Sequence, residues 1–83
     1  MSLPYQIYGV APSLREVAYT TGTYKPDGVG IGILASSDGD VVFTSGGTEV
    51  TITLTSGSSL PCSVDSINET GTTVTDLFCY VII

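Results

Sequence analysis

The chain has 83 residues, 42% of them hydrophobic, with two cysteines, no histidine, and eight acidic side chains against Arg15 and Lys25. That balance excludes a basic groove for nucleic acid and attachment to anionic lipid, both of which need clustered lysine and arginine. It also excludes a disulfide-dense scaffold and a histidine-based metal site, so the reinforcement that so small a domain needs is expected from self-association.

In residues 1–10, Pro4 and the alternation Tyr5-Gln6-Ile7 suit a short edge strand or, equally, an extended arm over residues 1–13 that packs on a neighbouring subunit. No basic leader precedes an apolar stretch. The longest apolar run, residues 77–83, falls far short of the ~20 residues that a membrane helix needs. Synthesis in the cytoplasm and no membrane partner are therefore expected. Val17, Tyr19, Thr20 and Thr21 favour a pleated backbone, which predicts a strand from about Leu14 to Thr20. Tyr24-Lys25-Pro26-Asp27-Gly28 reads as a turn: Pro26 presets φ, Asp27 bonds its own backbone, and Gly28 accepts a positive φ.

Gly28-Val29-Gly30-Ile31-Gly32-Ile33-Leu34 alternates glycine with a large aliphatic. It predicts a strand with one face in the core and the other bare, open to close approach by another backbone. Neither a dinucleotide fingerprint nor a phosphate loop fits, because no later glycine, helix pattern or Lys-Ser/Thr pair follows. Asp38-Gly39 is a hairpin signal, and the carboxylates of Asp38 and Asp40 fall short of the six or more oxygens of a calcium site. Asp40 to Ser45 and Glu49 to Thr55 are predicted as a hairpin across Gly46-Gly47. Val50, Ile52 and Leu54 take one face, and Thr51, Thr53 and Thr55 the other.

Leu60-Pro61 opens a strand in which Cys62 and Val64 share a face, and the loop of residues 68–73 leads to a terminal strand beginning at Val74. There Leu77, Cys79, Val81 and Ile83 lie on one side and Phe78, Tyr80 and Ile82 on the other. Both sides are apolar. A small antiparallel sheet buries one face in its own core, so the second face asks for a partner. Up to seven strands separated by regular turns predict an all-β single domain over residues 1–83, a small antiparallel β-sandwich or barrel.

Catalysis finds no support in these residues. Cys62 and Cys79 have no histidine to act as base, and both fall at apolar strand positions, where a thiol is a small hydrophobe. Free thiols are expected, although a bridge between neighbouring strands stays open on geometry. Asp38, Asp40, Glu49, Asp65, Glu69 and Asp76 lie in or beside turns or on polar faces, the usual setting of solvated charge. No enzymatic activity, cofactor or metal is expected. A carbohydrate- or ligand-binding module is a second class to weigh, with Tyr5, Tyr8, Tyr19 and Tyr24 as stacking residues.

Taken in order, Gly39-Asp40-Val41, then Gly46-Gly47 ahead of Val50-Thr51-Ile52, then Leu60-Pro61, and finally Thr70-Gly71-Thr72-Thr73-Val74-Thr75-Asp76 form a set. That set resembles the small spike-base and head-decoration proteins of tailed phages and gene transfer agents. In that family a Gly-Asp turn leads into a hairpin, a glycine precedes Leu-Pro, and a Thr-Gly-Thr-Thr-Ala-Thr-Asp-like loop feeds the last strand. The match covers roughly residues 34–83, and Val74 stands where the family usually has alanine. The resemblance implies a virion protein on the capsid surface or at a vertex, made in the host cytoplasm: a capsid decoration (cement) or spike-base subunit, with a tail or baseplate subunit as the alternative. It further implies binding to copies of itself, as a trimer or pentamer, and to the major capsid protein. Tyr5, Tyr8, Ile31, Ile33, Phe78, Tyr80 and Ile82 are the residues expected at such a subunit or capsid interface.

Overall fold

A computed structural model of the chain describes residues 11–83. They form β1 (Ser13–Glu16), β2 (Thr23–Tyr24), β3 (Val29–Ala35), β4 (Gly39–Ser45), β5 (Thr48–Leu54), β6 (Ser59–Val64), β7 (Ser66–Asn68) and β8 (Leu77–Ile82). One four-stranded antiparallel sheet runs β1-β8-β3-β6 and packs on a second, β2-β7-β4-β5. The expected β-sandwich is the fold. Its eight strands exceed the expected seven because β2 and β7 have only two and three residues. Segments so short leave no alternation to read.

Period-two alternation sets the core. In β8, Leu77, Cys79 and Val81 point between the sheets and are buried, opposite Ala35, Ile33 and Gly30 of β3. Val41 and Phe43 of β4, Ile67 of β7 and Tyr24 of β2 complete the interior from the other sheet. The β4–β5 hairpin forms as expected. Gly46 and Gly47 take φ of 57° and 83°, the pair of positive values that a two-residue turn matched to strand twist demands. Asp65 Oδ2 accepts the Gly47 N–H at 2.8 Å and holds that turn against β6 and β7.

Four expectations are corrected. The strand expected from Leu14 to Thr20 stops at Glu16, because a second tight turn intervenes. Thr21 and Gly22 take φ of 56° and 82°, and Thr20 and Thr23 exchange backbone hydrogen bonds of 2.9 and 3.2 Å across them. Ser13, counted with the arm, belongs to β1, while the arm's residues 1–10 lie outside the described residues. The terminal strand begins at Leu77, since Val74 is buried in a loop that is itself bonded to β4.

The fourth correction concerns β3, which carries a bulge between Gly30 and Gly32. Gly30 pairs with Val81 and Gly32 with Tyr80, so β3 advances two residues while β8 advances one. A slip of one residue exchanges faces. Gly30 is therefore on the core side and Gly32 on the outer side, and no bare glycine face exists. The same slip sends Ile33 inward, fully buried.

Candidate functional site

The outer face of the β1-β8-β3-β6 sheet is the surface to which the folding pattern gives an unusual character. Because Leu77, Cys79 and Val81 point inward, Phe78, Tyr80 and Ile82 point outward. Register places Leu34 beside Phe78, Gly32 beside Tyr80 and Val29 beside Ile82 from β3, and Leu14 beside Tyr80 from β1. Neither β3 nor β8 contains a charged residue, and only Glu16, opposite Phe78, brings charge onto this face from β1. Leu14 is 49% exposed and Val29 64%, while Phe78, Tyr80, Ile82 and Leu34 are half-buried.

Gly32 organises the centre of this face. A β-carbon there would come within 3.2 Å of Tyr80 Cδ2, so the glycine leaves the space over which the Tyr80 ring lies. Cross-strand aromatic cover of a glycine is a recurrent device for pinning sheet register.

Of the residues expected at an interface, Phe78, Tyr80 and Ile82 lie together on this face. Ile31, at the bulge, is half-buried and outside the core cluster. Ile33 is in the core and has no surface to offer. Tyr5 and Tyr8 lie outside the described residues. Leu14, Val29 and Leu34 were not expected. Their places depend on the bulge and on the β1–β8 pairing, and no local pattern marks either.

The opposite outer face, on β2-β7-β4-β5, is polar. Register sets Asp40 beside Thr53, Thr44 beside Glu49 and Ser66, and Thr23 beside Asn68. Thr53 Oγ1 donates to Asp40 Oδ1 at 2.7 Å, and Asn68 Nδ2 donates to Glu49 Oε2 at 2.7 Å. The sandwich thus shows an apolar row across β1, β8 and β3, bordered by Ser59 beside Leu34 on β6, to one side and a hydroxyl-rich sheet around Val42 to the other.

The first and last of the segments that carry the resemblance meet in space. The Asp40 N–H donates to Thr73 Oγ1 at 2.8 Å and the Thr73 N–H to the Asp40 carbonyl at 2.8 Å. The Val42 N–H donates to Thr72 Oγ1 at 3.0 Å, and that hydroxyl donates onward to the Asn68 carbonyl. A β-carbon on Gly39 would lie 2.7 Å from Thr73 Oγ1, so the Gly-Asp turn and the Thr-Thr loop fit only each other. The threonines extend the edge of β7 along β4 and satisfy backbone groups that would otherwise be unpaired.

The carboxylates are used in the same structural way. Asp38 Oδ1 accepts the Ser56 N–H at 2.7 Å, and among the described residues no group of three or more His, Cys, Asp or Glu is placed to hold a metal. Tyr24 belongs to the core and reaches the surface only as part of the wall of one depression. Tyr19 packs against the core with its hydroxyl buried and without a hydrogen-bond partner. An open depression of about 380 Å³, lined by Ala18, Thr20, Thr23, Tyr24 and Lys25, brings no second aromatic for stacking.

Both cysteines are free, as expected. The bridge left open between them is ruled out by topology, because β3 stands between β6 and β8. Burial pushes the Cys79 thiol up to about 11 and, aided by the nearby Cys79, the Tyr24 hydroxyl up to about 12. Both groups hold their protons more tightly folded than unfolded. The stability they contribute is present below their ordinary values and lost as pH rises through the raised ones. Melting temperature followed by circular dichroism is expected to fall from about pH 9 upward, across the window set by these two groups. A melting temperature unchanged between pH 8 and 11 would contradict this.

Compared with protein-family models, with curated proteins and with solved structures, the chain gives no match.

Proposed function

We propose that the chain is a structural subunit of a phage-like particle, a capsid decoration or vertex spike-base protein. It buries the outer face of the β1-β8-β3-β6 sheet against copies of itself and the major capsid protein. The observation that carries this reading is the apolar row Phe78, Tyr80, Ile82, Leu34 and Leu14, gathered on one face opposite a hydroxyl-rich one. Each such side chain, taken from half-buried to buried, adds about 1 kcal/mol at about 25 cal/mol per Å² of apolar surface. The mechanism is mechanical: covering this face ties the subunit to its neighbours and stiffens the shell it sits on. The ordered run from Gly39-Asp40 to Thr75-Asp76, and its resemblance to spike-base and head-decoration proteins, supports the particle itself.

The double substitution Phe78→Asp with Tyr80→Ser tests the face. Light scattering is expected to show that the double substitution removes the trimer or pentamer contact of the parent chain, lowering the particle mass by the corresponding factor of about three or five, with unchanged circular dichroism. A parent chain that stays monomeric at micromolar concentration overturns the reading. Co-sedimentation with empty capsids, retained by the parent chain and lost by the variant, tests the partner.

A further inference from the structure

The two sheets end in four edge strands, β1 and β6 on one, β2 and β5 on the other. Three of them are blunted in the ways natural sheets use against edge pairing. β1 has four residues and carries Glu16 and Arg15, the latter ion-paired with Asp27 at 3.2 Å. β6 contains Pro61, and β2 has only two residues. β5 is different. Its seven residues, Thr48–Leu54, contain no proline, lysine or arginine, their one charge, Glu49, is engaged by Asn68 Nδ2 within the same sheet, and they pair with β4 from Gly39↔Leu54 to Ser45↔Thr48 without a bulge. Among the described residues no backbone hydrogen bond from outside the sheet reaches the far side of β5. Half of its N–H and C=O groups face this edge, which no other described strand pairs.

The core is also incomplete along this edge. Val50, Ile52 and Leu54 point inward and pack on the core, yet all three remain partly exposed, whereas Val41 and Phe43 on the adjacent strand are buried. Leu60 and Cys62 of β6, which the turn of residues 55–58 joins to β5, are likewise only half-covered. An added strand would pair the open backbone and cover these side chains together.

We infer that this strand is β5 of a second copy, paired antiparallel across a two-fold axis at Thr51, so that two β2-β7-β4-β5 sheets become one continuous sheet. The sequence of β5 is self-complementary in that register. Thr51 meets Thr51, Val50 meets Ile52, Glu49 meets Thr53 and Thr48 meets Leu54, with all seven residues overlapping. The inward Val50 and Ile52 meet each other, the inward Leu54 meets Thr48, and neither Glu49 faces the other. An isologous two-fold contact of this kind is the commonest way a soluble chain self-associates. Strand addition supplies its affinity through main-chain bonds and its register through alternate side chains.

The pairing is independent of the phage-particle reading, since it uses the opposite sheet from Phe78 and Tyr80. Single cysteines introduced into the full chain in a Cys62→Ser background read the register directly. Thr51→Cys is expected to give at least tenfold more disulfide-linked dimer on oxidation than Glu49→Cys or Thr53→Cys alone, while a mixture of those two cross-links. The same pattern is expected in the Phe78→Asp, Tyr80→Ser chain, which separates this contact from the outer-face one. Equal cross-linking at all three positions, or none at position 51, overturns the proposal. Thr51 is exposed and makes no side-chain hydrogen bond, so Thr51→Lys is expected to fold normally and halve the particle mass in light scattering. Mixing it with Thr51→Glu is expected to restore that mass. A Thr51→Lys protein of unchanged mass, or a mass that the mixture does not restore, overturns it as well; that includes the case in which residues 1–10 occupy the edge.

Discussion

Replacing Phe43 with alanine is expected to lower the melting temperature by about 20 °C or more, at a cost of about 3–5 kcal/mol. Phe43 heads the fully buried side chains by volume. Its cross-strand neighbours are Val50 on β5 and Ile67 on β7, so the ring fills the middle of its sheet and faces the other. Truncation would leave a void that neither neighbour reaches across, because Val50 is held by the hairpin register and Ile67 by a strand of three residues. A domain of this length has about 4–12 kcal/mol of stability in all, so the variant retains little of it. Thermal denaturation followed by circular dichroism measures the shift. A loss under 5 °C would show that the interior is not organised around this ring.

The second large effect is expected at a position with no side chain. A β-carbon on Gly30 would run into the Val64 carbonyl oxygen and lie 2.9 Å from Val64 Cβ and 3.1 Å from Pro26 Cγ. The first obstacle is backbone and cannot rotate away, so Gly30→Ala has to separate β3 from β6 or lose the bulge. Overpacking costs typically about 1–3 kcal/mol, and a clash with backbone belongs at the upper end. Gly32→Ala makes the internal control. There the nearest atoms are 3.0 Å and 3.2 Å away, one of them in the movable Tyr80 ring, and about 1 kcal/mol is expected. Equal losses from the two substitutions in urea unfolding would contradict the register shift between them.

These two positions also show what was legible in the sequence. The β4–β5 hairpin could be read because Val50-Thr51-Ile52-Thr53 alternates strictly and Gly46-Gly47 supplies the one turn chemistry that suits it. Phe78, Tyr80 and Ile82 could be read as an outward row because β8 is apolar on both sides. The bulge at Ile31 could not. A strand of alternating glycine and aliphatic satisfies either register equally, and its partners Val81 and Val64, far along the chain, decide between them. From that single slip follow the burial of Ile33, the outward turn of Leu34 and the pairing of Gly32 with Tyr80. β2 and β7 escaped notice for a plainer reason, since a strand of two or three residues has no period. Tyr24 was open to a surface reading because its setting is a turn; only the pairing with Ile67 turns it inward.

β8 comes after every other strand in the chain, yet it lies between β1 and β3 in the interior of its sheet. The order in which residues leave the ribosome is therefore the reverse of what piecewise assembly would need. Until residues 77–82 exist, β1 has no sheet to join and β3 has lost one of its two neighbours. Among the described residues the β4–β5 hairpin is the only strand pair joined by a tight turn within one sheet, because the other connections cross to the opposite sheet. Non-local pairing of this kind is slow, and while it waits the chain displays the aliphatics of its future interior. A nascent chain of this protein stays open, and in need of shelter, until β8 has been made.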